Sequence, residues 1–292
     1  MYMPDVILHK AETLEDAAQA LINHSPRARF LAGGTDLLID LKTGRVNYEH
    51  LVSINRIKSL HGLDESPGSL RIGALTTVTQ LGVSSAVQER YAPLIDATRR
   101  MAAPQIRNVA TVGGNIAAAV PCADLPPILT AMNATVVIWS SAGERILPLA
   151  EFFVGPRETV LGNGEVLTAA VVPKPPPGFG AAYARFGLRD GNTIAVAAVA
   201  AGLLLDARGI VQEARIVLGA VAPIPKMVEE AGARLMGQPA DDDAFTAAGE
   251  TARQAAEPIS DVRGSADFRR ELVGILTRRA LITARDRAKE TL

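Results

Sequence analysis

The chain has 292 residues, 48% of them hydrophobic and 21% charged, with a formal net charge of −1. That length buries roughly three quarters of the unfolded surface, enough for a full core, while the balanced charge argues against an electrostatic match to nucleic acid or anionic lipid. Acids fall within the first sixteen residues and no run reaches about 18 uninterrupted apolar residues, so neither a signal peptide nor a membrane span is predicted and the cytoplasm is the expected compartment.

A strand is predicted at residues 6–9, then a helix with Thr13 as N-cap, because Leu14, Ala17, Ala18, Leu21 and Ile22 keep helical spacing. Residues 29–32 read as a strand that runs directly into Gly33-Gly34-Thr35-Asp36, with a helix over LLIDLK behind it. Further strands are predicted at 50–54 and 70–73, a helix from Thr77, and another over 91–101. An aspartate and two prolines open a helix at 124–132, and the β-branched run TVVIWS at 135–140 reads as a strand. The segment PKPPPGFG at 173–180 has four prolines and two glycines and is read as the connection between two domains. Beyond it, strands are predicted at 182–186, 195–205 and 213–218, followed by helices from Lys226, Asp242 and Phe268.

The main chemical signal is a repeated grammar. Ala32-Gly33-Gly34-Thr35-Asp36 and Thr111-Val112-Gly113-Gly114-Asn115 each join a glycine pair to a threonine and a carboxylate or amide, eighty positions apart. Glycine lets successive backbone N–H groups turn toward one point, and such a nest binds phosphate oxygens. The two loops can therefore share one pyrophosphate, with Asp36 and Asn115 suited to ribose or ribityl hydroxyls; each can also be a tight turn. Neither G-x-G-x-x-G nor GxxxxGK[ST] occurs, so Rossmann and Walker readings lack support.

Other constellations carry less. The single cysteine, Cys122, excludes an internal disulfide and an iron–sulfur cluster ligated by this chain alone, and a packing role is expected for it. His9, His24, His50 and His61 follow no zinc-site spacing and are expected at the surface or in loops. Asp241-Asp242-Asp243 reads as a solvated helix N-terminus, and Arg269-Arg270 with Arg278-Arg279 as the basic side of an amphipathic terminal helix. No nucleophile with a histidine and acid around it is recognisable.

The chain resembles the FAD-binding medium subunits of the molybdenum hydroxylases, the group containing xanthine dehydrogenase and carbon monoxide dehydrogenase. The resemblance rests on LAGGTDLL at 31–38, PQIRNVATVGGNIAAAVPCADLPP at 104–127, RFGLRDGNTIAVAAVAA at 185–201 and RGSADFRRELVGIL at 263–276. It implies an α+β fold: a two-part FAD-binding domain of the vanillyl-alcohol-oxidase (PCMH) type at 1–176, with parts at about 1–55 and 56–176, then a C-terminal domain at 177–292 with a three-stranded sheet and a helical layer. It also implies a large partner subunit with molybdenum cofactor and a small one with two [2Fe-2S] clusters, in a heterotrimer or a dimer of heterotrimers. The chain would pass electrons from a partner cluster through FAD to an external acceptor.

Carried over by position, the resemblance assigns the first FAD loop to Phe30, Leu31, Ala32, Gly33, Gly34, Thr35, Asp36 and Leu37, and the second to Thr111, Val112, Gly113, Gly114 and Asn115. Asp124 matches a flavin-contacting acid and Leu167 an apolar contact. Arg185 stands where relatives have a lysine, whose ammonium reaches differently from a guanidinium. Ile194 matches a residue that covers one flavin face; the alternative for it is an ordinary strand core position. A reading of another class is an independent FAD oxidoreductase that uses a nicotinamide directly, and a third is a scaffold without cofactor. Similarity after Pro177 weighs against the former, and intact glycine loops against the latter.

Overall fold

The computed structural model describes residues 2–292. Its N-terminal lobe alternates strand and helix: β1 (Ile7–Lys10), α1 (Leu14–His24), β2 (Ala28–Leu31), α2 (Leu37–Lys42) and β3 (His50–Ser53). The strands pair in parallel in the order β1-β3-β2. Helix α1 starts where expected, since the Thr13 hydroxyl accepts the Asp16 amide at 3.0 Å. Its small Ala17 packs with Val52, Ile54 and Leu60 in a core of its own, which brings α1 close to the sheet.

The middle lobe holds β4 (Leu63–Glu65), β5 (Ser69–Gly73), α3 (Val78–Val83), α4 (Ser85–Arg90), α5 (Pro93–Arg100), α6 (Pro104–Arg107), α7 (Val112–Ala117), α8 (Leu125–Ala131), β6 (Thr135–Ser140), β7 (Gly143–Pro148), β8 (Phe153–Gly155), β9 (Glu158–Thr159) and β10 (Val166–Pro173). Five of its strands form an antiparallel sheet in the order β4-β5-β10-β6-β7. Thr77 and Gln80 build a reciprocal capping box that starts α3. Strand β7 went unpredicted for a physical reason: it lies at the sheet edge and is exposed along most of its length, so no alternation marks it.

Pro173 ends β10 and Phe179 begins the next strand, so the proline run connects two sheets. The last part contains β11 (Phe179–Phe186), β12 (Ala197–Leu205), β13 (Val211–Gly219), β14 (Lys226–Met227), α9 (Glu229–Ala233), α10 (Asp242–Ala255) and α11 (Ala266–Lys289). Two expectations change here. The sheet has four strands, because Lys226 and Met227 pair with Leu218 and Val217 as a short edge; Lys226 thus opens no helix, and α9 begins at Glu229. Strand β12 is apolar throughout because both faces are covered. Ala198 and Ala200 join the core of the middle lobe, whereas Ala197, Val199, Ala201 and Leu203 pack under α10 and α11. Arg287 on α11 fastens this arrangement by donating to both Asp96 oxygens, at 2.6 and 2.9 Å. No helix among the described residues is long and apolar enough to cross a membrane.

Candidate functional site

The two glycine loops are placed against each other. A Cβ on Gly33 would lie 1.9 Å from the carbonyl oxygen of Val109, just before the second loop, so only a bare backbone fits there. Gly34 has φ of +71°, in the left-handed region. Among the described residues, the amides of Gly33, Gly34, Thr35 and Asp36 have no protein acceptor, which is the state a nest needs. Burial lifts the Asp36 carboxyl above its ordinary range against the pull of Arg157, with Asp40 adding to the rise and Arg45 opposing it. Of the residues before the glycines, Phe30 turns into the N-terminal core, and the Leu31 side chain lies where a Gly34 Cβ would point.

The second loop is built differently. Val112 donates to Thr76 O at 2.9 Å, Gly113 to Ala74 O at 2.8 Å and Asn115 to Thr111 O at 2.9 Å. Gly114 donates to the Thr111 hydroxyl at 3.0 Å, which makes Thr111 the N-cap of α7. Every amide from 112 to 115 is therefore engaged within the fold, contrary to the expectation of a second nest. Among the described residues, what this loop leaves for a ligand is the Thr111 amide, the Thr111 hydroxyl proton and the Asn115 side-chain NH2, because the Asn115 oxygen accepts from Leu125 N at 3.3 Å.

That bond leads to Asp124, the residue before α8. Asp124 is buried; it accepts from the Tyr183 hydroxyl at 2.7 Å and from Arg185 Nη1 at 3.1 Å. Burial outweighs both partners and raises the Asp124 carboxyl to about 6. Arg185, itself buried, also donates to Arg100 O at 2.9 Å and Thr193 O at 2.7 Å. It borders a cleft of about 180 Å³ with Arg100 and Arg189. Ile194, next to Thr193, is 54% exposed and precedes β12, which rules out the strand core alternative. Leu167 is buried inside β10, one position from Thr168, whose carbonyl accepts from Ala74 N at 2.8 Å.

Three supporting residues were not foreseen. Arg157 donates from its backbone to Ala119 O, just past α7, while its side chain pairs with buried Asp40 on α2, so one residue spans the helices behind both loops. Tyr183 orients Asp124. Arg269 was read as part of a basic surface, yet it is 1% exposed, pairs with Asp261 at 2.6 Å and donates to Val196 O at 3.2 Å. It thereby anchors the segment carrying Ile194. These partners are far apart in sequence, and no local pattern announces them. Burial also pushes the Cys122 thiol up, with nearby Asp124 adding to it, in keeping with a packing role.

Two family models cover most of the chain: "FAD binding domain in molybdopterin dehydrogenase" at residues 4–175 and "CO dehydrogenase flavoprotein C-terminal domain" at 181–284. The class is that of flavoprotein oxidoreductase subunits. A xanthine dehydrogenase FAD-binding subunit from Escherichia coli is 36% identical over 278 residues, covering 94% of each chain. The carbon monoxide dehydrogenase medium chain of Afipia carboxidovorans is 34% identical over 96% of this chain and 97% of its own. A solved carbon monoxide dehydrogenase structure from Hydrogenophaga pseudoflava matches with a TM-score of 0.95 and 34% identity over 98% of this chain and 99% of that one. This chain belongs to the family of FAD-binding medium subunits of the xanthine and carbon monoxide dehydrogenases.

Proposed function

We propose that this chain is the FAD-binding electron-transfer subunit of a cytoplasmic molybdenum hydroxylase, with a two-part FAD-binding domain of the PCMH type at residues 1–176 and a C-terminal domain at 177–292. Its partners are a large subunit with molybdenum cofactor and a small one with two [2Fe-2S] clusters, in a heterotrimer or a dimer of heterotrimers. Bound FAD supplies the redox chemistry, accepting electrons from a partner cluster and releasing them to an external acceptor. The observation that carries the reading is the row of free amides at Gly33–Asp36, set by Gly33 against the second loop. Those amides suit pyrophosphate oxygens, and Thr111 and Asn115 offer donors beside them. The Asp124–Tyr183–Arg185 cluster presents a buried charge pair to the polar edge of the ring system, and exposed Ile194 is available to cover one ring face.

Purification in the native complex tests this directly. The complex should contain flavin, molybdenum and iron, and the separated chain should take up FAD. A colourless chain that cannot be reconstituted would overturn the reading. Full turnover with a nicotinamide by the metal-free chain alone would favour an independent oxidoreductase.

A further inference from the structure

His9, His24 and His50 are scattered in sequence, but the fold gathers them. In the parallel pairing of β1 with β3, Ile7 stands opposite His50 and His9 opposite Val52, so both histidines lie on the sheet face covered by α1. His24 is the last residue of α1 and hangs over the same end of that face. On the other side of His50, β2 places Ala28, whose methyl leaves room for the rings. The ring centroids of His24 and His50 are 3.9 Å apart, those of His9 and His24 are 4.7 Å apart, and His9 Nε2 lies 3.0 Å from His50 Nδ1. One ring nitrogen from each residue lies within 4.8 Å of the others, all three residues are half-buried, and among the described residues no carboxylate or thiol joins them.

We propose that these three imidazoles form a binding site for a borderline divalent transition-metal ion, with zinc the best match. Three neutral nitrogen donors with water in the fourth position suit Zn²⁺, whose bonds to imidazole are about 2.0–2.1 Å long. Tetrahedral donors then sit about 3.4 Å apart, so the rings turn by a modest amount, exchanging the His24–His50 stack and the His9–His50 contact for metal bonds. The cationic ion also meets the negative end of the α1 dipole. The ion fastens α1 to β1 and β3 at the end of the lobe away from the Gly33 loop, and the site stands independently of the flavin reading.

The test uses the untagged complex after chelator treatment, titrated with Zn²⁺ by calorimetry and with Co²⁺ by visible absorption. One ion per medium subunit should bind and raise the melting temperature, and Co²⁺ should give the intense absorption of a tetrahedral site. His9→Gln and His24→Gln, on different elements and each checked for folding by circular dichroism, should each weaken binding at least about tenfold, whereas His61→Ala should leave it unchanged. No binding to the untagged complex, or equal binding by wild type and both folded variants, overturns the proposal.

Discussion

The segments AGGTD and TVGGN use the same residue types, but the fold employs them for opposite ends. In the first, the amides from Gly33 to Asp36 are free and Gly34 adopts a left-handed conformation. In the second, all four amides from Val112 to Asn115 are bonded inside the protein, and Gly113 is small because Ala74 lies against it. Close approach is common to both pairs, since Gly33 also lies against Val109; what differs is whether the neighbouring amides stay free for a ligand. Only the acceptors around each pair decide that.

The largest expected effect lies in the second loop. A Cβ at Gly113 would sit 2.5 Å from the Ala74 Cβ and 2.8 Å from its backbone Cα and oxygen. Backbone cannot yield cheaply, so Gly113→Val should destabilise the flavin-free chain by about 3 kcal/mol or more. Urea unfolding of flavin-free protein measures this; unchanged stability with lost flavin affinity would reverse the roles of the two loops.

Asp124 borders the second loop and should give that side a pH signature. Its folded-state pKa of about 6 lies above the ordinary 3.8. The folded form therefore binds more protons between those values, and stability should fall as pH rises from about 4 to about 6, then level off. The full difference is roughly 2–3 kcal/mol. Asp124→Asn should abolish the slope, since the loss of a partner for Arg185 is constant over that window. The same slope in both proteins, read from denaturant midpoints, would remove Asp124 as its source.

In the first loop the balance should shift from stability to binding. Gly34→Ala forces a side chain into φ of +71°, at about 1–2 kcal/mol, and turns the free amides away from a common point. FAD affinity of the flavin-free chain should fall by more than about thirtyfold, a greater loss in free energy than the loss of stability. Equal losses, or none in affinity, would make this loop another packing contact.

Much of this architecture was legible along the chain because its signals are local. Thr13 and Thr77 start helices through their own hydroxyls, and the proline run separates two sheets. Paired glycines located both loops but not their bonding: in the second, Val112 and Gly113 donate to Thr76 and Ala74 in another segment, whereas the first has no acceptor among the described residues. The supporting residues were hidden for the same reason. Arg157 reaches Asp40 across 117 positions and Tyr183 reaches Asp124 across 59, and a side-chain bond at that separation leaves no periodicity. Three histidines on three elements formed a cluster that spacing alone denied.

Ile194 provides the smallest effect and the cleanest division between fold and ligand. It is 54% exposed and lies just outside β12, on a segment held by Arg185 at Thr193 and by Arg269 at Val196. Those two anchors act on backbone carbonyls, so the isoleucine side chain is not needed to place the segment. Ile194→Ala should change the stability of the flavin-free chain by less than about 0.5 kcal/mol. If its side chain covers a ring face, the same change exposes that face and should raise the FAD dissociation rate several-fold, measured by the recovery of flavin fluorescence on dilution. An unchanged rate would leave the free amides of Gly33–Asp36 and the Asp124–Arg185 pair as the means of holding the cofactor, and would assign Ile194 to a protein surface instead.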